Sequence, residues 1–124
     1  MDFNLLSKGP KMIKKEIQQI ALFHNFKVEF ENGELTKESE KEFKNKVNWI
    51  NISYFKKLSE EFIKRFQDKV NWDNISYYQK LSFSFIMKFK NKVNWYWIEK
   101  RQELTPRLRK EIENRKLIRN VIES

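Results

Sequence analysis

Residues 58–80 read LSEEFIKRFQDKVNWDNISYYQK, and this stretch decides the fold because its pattern recurs along the chain. The phrase KVNW stands at 46–49, 69–72 and 92–95, which gives a period of 23 residues. The same period relates four leucines that are each followed by Ser or Thr: Leu35, Leu58, Leu81 and Leu104. Self-similarity at a fixed period of this length indicates an array of one supersecondary unit.

Each repeat is expected to contain two helices that are joined by a tight corner. In the second repeat Ser59 is suited to cap a helix N-terminus, and Leu58 and Ile63 have the spacing of a hydrophobic staple. The apolar spacing predicts a first helix of about three turns. Asn71 is expected to end it in a left-handed conformation, and Asp73 or Asn74 is expected to cap a second helix of about two turns.

The recurring aromatic residues predict one continuous core. Trp49, Trp72 and Trp95 share a repeat position beside Val and Ile, so we favour core packing over base stacking and expect all three to be buried. Phe62 and Phe85 are expected to pack between neighbouring repeats. Other aromatic residues are expected at the surface: Trp97, which replaces the Asn of the other repeats, and one residue of each pair Tyr54-Phe55 and Tyr77-Tyr78.

Residues 1–34 do not follow the repeat. The spacing of their apolar residues predicts a helix over 11–24, and the alternation that follows predicts a short strand at 26–30 with a turn at 31–33. Phe3–Leu6 is the expected partner strand. The first repeat has Ser39 where the others have Phe, and we expect it to compensate by docking this N-terminal segment.

Residues 104–124 predict a C-terminal capping helix that begins at Pro106, because a missing amide costs nothing in the first turn. The sequence therefore predicts a mainly all-α fold in which short helix-turn-helix repeats stack as a small solenoid. Three segments are expected: an N-terminal capping segment at 1–34, three repeats at 35–103 and the capping helix at 104–124.

The composition favours an anionic partner. The chain has 124 residues, a net charge of +9 and a pI near 9.7, which suits nucleic acid or an acidic protein surface. The alternative is that Lys is merely the default surface residue, since Lys, Asn, Ile and Phe all use AT-rich codons. The chain has no Cys and no stretch apolar enough for a signal peptide or a membrane helix, so we expect a cytoplasmic protein with no membrane partner.

The repeat resembles a short tandem repeat of uncharacterised bacteriophage and large DNA virus proteins, with the pattern L-S-E-x-F-I-x-x-F-x-x-x-V-x-W-x-x-I-S-x-x-Q. The second repeat meets every position, from Leu58 to Gln79. The first departs at Ser39, Glu40 and Lys56, and the third at Glu99. The resemblance implies a viral or mobile-element origin. Small phage proteins often block host machinery, including CRISPR defence, so an inhibitor is a natural hypothesis.

Enzymatic motifs are not found in this sequence. His24 is the only His, and it lies at a helix end among Phe residues, where a structural role is more common than a catalytic one. The chain has no zinc-protease motif, P-loop or nucleophile–base set. We therefore predict a protein that is not an enzyme, with no catalytic residues, no metal ligands and no cofactor.

The predicted partner-binding residues are mostly basic. Lys46, Lys69 and Lys92 share one repeat position, so stacked units would place them in a row about 8–10 Å apart. Lys44 and Lys90 add to this row. Trp97 replaces the Asn of the other repeats, and Arg107 and Arg109 lie in the basic tail. The same lysines are equally compatible with a solubilising surface whose stems cover the edge of the core.

Three functions remain open from the sequence. The first is a phage-type protein that docks on a host protein or ribonucleoprotein complex, such as a CRISPR effector, and inhibits it. The second is direct binding of RNA or DNA, and the third is a structural or scaffold repeat. We favour the first, because the second repeat has as many acidic as basic residues and interrupts any continuous basic track.

Overall fold

The computed structural model describes the backbone of residues 3–123 and the side chains of 13–54 and 56–123. This part of the chain is mainly helical, which confirms the mainly all-α part of the predicted fold class. The helices, in chain order, are α1 (Phe3–Phe23), α2 (Lys37–Lys46), α3 (Trp49–Phe55), α4 (Glu60–Arg65), α5 (Trp72–Tyr78), α6 (Phe83–Lys88), α7 (Trp95–Arg101) and α8 (Pro106–Glu123). One antiparallel hairpin joins β1 (Phe30–Glu31) to β2 (Glu34–Leu35).

Hydroxyl side chains cap the first helix of each repeat, as predicted. The hydroxyl oxygens of Thr36, Ser59 and Ser82 accept hydrogen bonds from backbone N–H groups in the first turns of α2, α4 and α6. Such a bond satisfies one of the free amides at a helix start. Helix α8 begins at Pro106, also as predicted, and the Thr105 hydroxyl accepts from an amide of its first turn at 3.3 Å.

The corner between the two helices of a repeat differs from the prediction. Asn71 caps the start of α5 from an extended conformation with φ of −87°, and its side chain accepts from the Asn74 N–H at 2.9 Å. The expectation that Asn71 ends the first helix is therefore wrong, and neither Asp73 nor Asn74 is the cap. Helix α4 is also shorter than three turns: it ends at Arg65 with Phe66 as its C-cap, and irregular turns lead on to the corner.

The chain divides into two compact units. Unit 1 comprises Met1–Trp49 and Leu58–Val70, and unit 2 comprises Ile50–Lys57 and Asn71–Ser124. Each unit therefore draws on more than one repeat. The segment boundaries drawn from the sequence stay a prediction.

Unit 1 is built around a cluster of aromatic rings. Phe62 is fully buried, and its ring centroid lies 6.2 Å from that of Phe43 and 6.1 Å from that of Trp49, both in the first repeat. Phe66 lies 5.1 Å from Phe43. The prediction that Phe62 packs between repeats is confirmed, and Trp49 is buried as expected.

The N-terminal segment docks on the repeats of unit 1 through polar contacts. The Glu16 carboxylate accepts from the Ser59 N–H at 2.8 Å and from the Ser59 hydroxyl at 2.6 Å, which ties α1 to the start of α4. The Glu29 N–H donates to the Ser39 hydroxyl at 2.8 Å. Ser39 thus compensates for the missing Phe by receiving the N-terminal segment, as predicted.

The strand predicted at 26–30 is mostly wrong, because β1 is Phe30–Glu31 and overlaps it at one residue only, and the partner of β1 is local. Asn32 and Gly33 have φ of 54° and 79°, the left-handed values that a two-residue type I′ turn requires, so the chain reverses at once and β1 pairs with β2. The expected pairing with Phe3–Leu6 is wrong, because that stretch lies in α1.

Unit 2 has a largely aliphatic core that also includes Phe85 and Phe89, and two tryptophans lie at its edge. Ile75 and Ile98 are fully buried, and Trp72 stacks 6.3 Å from Phe85, so Phe85 packs against the preceding repeat as predicted. Trp72 and Trp95 are only half-buried, so the expectation of three buried tryptophans is wrong for these two. For Trp95 one reason is visible: the Arg115 guanidinium lies over the indole, at 4.0 Å from the ring centroid.

Candidate macromolecule-binding surface

Buried serines hold the second helices of unit 2 in register. The Asn71 N–H donates to the Ser53 hydroxyl at 3.1 Å, and one period later the Asn94 N–H donates to the Ser76 hydroxyl at 2.9 Å. Both serines are fully buried. A buried hydroxyl is tolerated only when it is hydrogen-bonded, so the repeated Ser links one second helix to the start of the next.

Glutamines at the end of the repeat form a second link. The Gln79 side-chain amide donates to the carbonyls of Ser53, at 3.3 Å, and Lys56, at 2.6 Å. One period later Gln102 donates to the carbonyls of Ser76, at 3.0 Å, and Gln79, at 2.7 Å. These carbonyls belong to helix ends, which leave acceptors without an intrahelical partner.

His24 makes the corresponding link in unit 1. Its Nε2 accepts from the Asn48 N–H at 2.9 Å, at the repeat position where Asn71 and Asn94 donate to a serine. Its Nδ1 lies 2.8 Å from the Ile20 carbonyl oxygen, which suits a donating N–H. The only His therefore joins α1 to the corner before α3, in agreement with a structural role.

Five aromatic side chains of α3, α5 and α7 form one continuous surface on unit 2, here called the aromatic face. Its members are Tyr54, Tyr77, Tyr78, Tyr96 and Trp97. Successive ring centroids lie 4.7 Å (54 to 78), 4.3 Å (78 to 77), 4.7 Å (77 to 97) and 4.8 Å (97 to 96) apart. Tyr54, Tyr78 and Tyr96 are exposed, at 46%, 45% and 59%.

Two cations rest on the aromatic face. The Arg101 guanidinium lies 4.4 Å from the Tyr77 ring centroid, and the Lys100 ammonium lies 5.6 Å from that of Tyr96. Both distances suit cation–π attraction. The pKa of the Tyr78 hydroxyl is raised, chiefly by partial desolvation and then by the neighbouring Tyr54 and Tyr77, while Arg101 opposes the shift. The Tyr78 phenol is therefore a neutral hydrogen-bonding group at ordinary pH.

The predicted basic residues of the first repeat are engaged within unit 1. The Lys46 ammonium lies 2.8 Å from a Glu42 carboxylate oxygen, and the Lys44 ammonium lies 3.9 Å from Glu40. Lys46 also lies 5.3 Å from the Phe26 ring centroid. These ion pairs reduce the positive charge that this helix presents to a polyanion.

The other predicted residues lie on exposed or half-buried surface. Lys69 belongs to unit 1, and Lys90 and Lys92 belong to unit 2; all three are exposed. Arg109 is exposed on α8. Arg107 lies 4.4 Å from the Phe83 ring centroid. Their role in binding stays a prediction.

Trp97 is the one predicted residue that the structure joins to the aromatic face. It is half-buried and packs edge-on against Tyr77 and Tyr96, in agreement with the expected surface position. Sequence reasoning missed the contribution of Arg101. A usable signal was present, because Arg101 follows Tyr77 by one repeat plus one residue, and Tyr54 and Tyr77 recur at the period itself.

Among residues 3–123 no helix is long and apolar enough to cross a membrane. In the same described part of the chain, no group of three or more His, Cys, Asp or Glu residues is placed to hold a metal ion.

Comparison of the chain with protein-family models, with curated proteins and with solved structures gave no match.

Proposed function

We propose that this protein is a non-enzymatic binding module that docks through its aromatic face on the protein surface of a macromolecular partner. The observation that carries the proposal is the chain of five adjoining rings on unit 2, three of them exposed and two of them beside cations. Tyr, Trp and Arg are the residues that most often dominate the energetics of protein interfaces.

The packing of these rings supports a functional surface over chance exposure. Single exposed apolar residues are normal, whereas a contiguous patch commonly marks an interaction site. The rings also hold one another in place through edge-on contacts, so little side-chain entropy is lost when a partner docks. The tyrosine hydroxyls add hydrogen-bonding groups around the apolar centre.

A protein partner fits these groups better than a bare nucleic acid. Single-stranded nucleic acid binds to open ring faces beside a continuous cationic groove. Here Arg101 already lies over the Tyr77 ring, and the rings meet mainly edge-on. Lys44 and Lys46 are paired with glutamates. The net charge of +9 then serves chiefly to speed association with an acidic surface.

Direct binding of RNA or DNA is the second candidate. It is favoured by the exposed Lys69, Lys90 and Lys92 together with the high net charge. Binding that depends on phosphate contacts falls steeply with salt, which separates this candidate from the first.

We also propose that the 23-residue units stack as a small solenoid. The support is that the bonds from the Asn N–H to the Ser hydroxyl and from the Gln amide to a backbone carbonyl recur one period apart within unit 2, since each repeat of a solenoid contacts its neighbours. The narrower proposal of a cytoplasmic phage-type inhibitor of a host complex, such as a CRISPR ribonucleoprotein, rests on the family resemblance. A structural scaffold remains the third candidate.

The test compares two exposed aromatic sites for their effect on partner recovery. The tagged protein is purified from its native host cells as wild type, as Tyr78→Ser/Tyr96→Ser, and as Phe23→Ser, which changes an exposed aromatic residue of unit 1. The stoichiometry of any copurified protein is measured after nuclease treatment. We expect recovery to fall by about tenfold in the double variant, the effect of a 1.4 kcal/mol loss, and to stay near the wild-type level in Phe23→Ser.

Retention of the partner by the double variant would contradict the proposal. Loss of the partner on nuclease treatment, or on reversal of the charge at Lys69 and Lys92, would favour the nucleic-acid candidate.

A further inference from the structure

A second surface of unit 2 lies along α8 and shares only Tyr96 with the aromatic face. A groove of about 530 Å³ is lined by α7 and by α8 from Ile112 onward. Its apolar lining includes Ile118 and Ile122, which are one helical turn apart and are 61% and 78% exposed. Leu117 and Val121 on the same two turns are also exposed. An apolar stripe of this kind is unusual on a free surface.

Basic side chains border this groove. Arg115, Lys116 and Arg119 line it, against the two carboxylates of Glu99 and Glu123. Glu99 is already engaged by Lys116 in an ion pair. Arg119 is exposed beside Ile118 and Ile122, so it is placed to meet an anionic group of an occupant.

The charge around the groove decides between its candidate occupants. Helix α8 has twice as many basic as acidic residues, and the whole chain carries +9. A second copy of the chain would bring like charges together, which costs association energy. An acidic segment would bring complementary charge to the same place. The length of the exposed stripe, two turns of helix, suits another helix with apolar residues at spacings of three and four.

We propose that the α7–α8 groove binds an acidic amphipathic helix of a partner protein. The apolar side of that helix lies on Ile118 and Ile122, and a carboxylate of that helix pairs with Arg119. This inference goes beyond the aromatic face and does not depend on it. The two surfaces lie on different sets of residues except at Tyr96, which borders both.

The probe is a fluorescein-labelled peptide of about 16 residues made of Leu, Glu and Ala, with Leu at helical spacing. A control peptide has the same composition with the Leu positions scrambled. Binding to the full chain is followed by fluorescence anisotropy at low salt, and far-UV circular dichroism verifies that each variant is folded.

We expect the patterned peptide to bind the wild type more tightly than the scrambled one. The affinity should fall by about tenfold in Ile118→Ser/Ile122→Ser and in Arg119→Glu, and by less than about twofold in the matched charge variant Lys110→Glu. Lys110 lies on the same helix and is exposed but does not line the groove. Tyr78→Ser should leave peptide binding unchanged, which separates this result from the test of the aromatic face.

Three results would overturn the proposal. The first is equal binding of the scrambled peptide, and the second is an equal effect of Lys110→Glu and Arg119→Glu. The third is a wild-type dimer in sedimentation that dissociates in Ile118→Ser/Ile122→Ser, because the groove would then be occupied by a second copy.

Discussion

Replacing Gln79 with Met tests the link between successive second helices. The buried Gln79 amide donates to the Ser53 and Lys56 carbonyls at 3.3 and 2.6 Å. Met has a similar length and volume, so the change removes two donors without opening a cavity. Two net hydrogen bonds are worth about 1–3 kcal/mol together, and a carbonyl left unsatisfied in a buried place adds about 1 kcal/mol. We therefore expect a loss of about 2–4 kcal/mol in the free energy of unfolding.

The assay is thermal unfolding followed by circular dichroism at neutral pH. A loss of this size lowers Tm by roughly 10 °C for a chain of this length. The matched control is Gln67→Met, at a Gln that is only half-buried and donates to the Lys64 carbonyl three residues earlier. Its Tm should change by less than roughly 3 °C. Equal Tm values for the wild type and Gln79→Met would refute the link.

Three further predictions follow from the packing and the charges. Phe62→Ala should lower the free energy of unfolding in urea by about 3–5 kcal/mol, because the ring is fully buried against Trp49; an unchanged midpoint would contradict that packing. The hydrogen bond from Lys116 lowers the pKa of Glu99 below its usual 4.5. The wild type should therefore have a higher Tm than Glu99→Gln above pH 4.5, and this difference should shrink as the pH falls further. A difference that grows in acid would contradict the ion pair. Fluorescein-labelled poly-U should bind weakly at physiological salt, whereas tight binding with a log–log salt slope of about −0.7 per neutralised phosphate would favour the nucleic-acid function.

The helix starts were predictable from the sequence because capping is local. A hydroxyl residue before an apolar periodic stretch places its oxygen near the amides of the next turn, whatever the rest of the chain does. Thr36, Ser59, Ser82 and Thr105 all act in this way. The period itself identified these positions four times over, which made the prediction robust.

The corner at Asn71 was not predictable from local rules, since Asn suits both the end and the start of a helix. The choice is made by a distant residue: the Asn71 N–H meets the Ser53 hydroxyl and its side chain turns to α5. The sequence shows that Ser53 is a repeat residue, but it does not show that Ser53 accepts from the Asn71 N–H, eighteen residues later.

The candidate surface was predictable only in part for the same reason. Trp97 was identified because it departs from the repeat. The half-burial of Trp95 depends on Arg115, a residue of α8 that no repeat rule places there. The cationic row was inferred from repeat positions alone, although the i,i+4 spacing of Glu42 and Lys46 indicates an ion pair that offsets one of its charges.

Site-specific photo-crosslinking in native host cells tests the binding role of the aromatic face most directly. A benzophenone amino acid is placed at position 78, on the aromatic face, or at position 23, an exposed aromatic position of unit 1. The account predicts a discrete adduct from position 78 that is digested by protease and survives nuclease. The yield of any adduct from position 23 should be several-fold lower. An adduct that nuclease removes, or equal adducts from both positions, would contradict it.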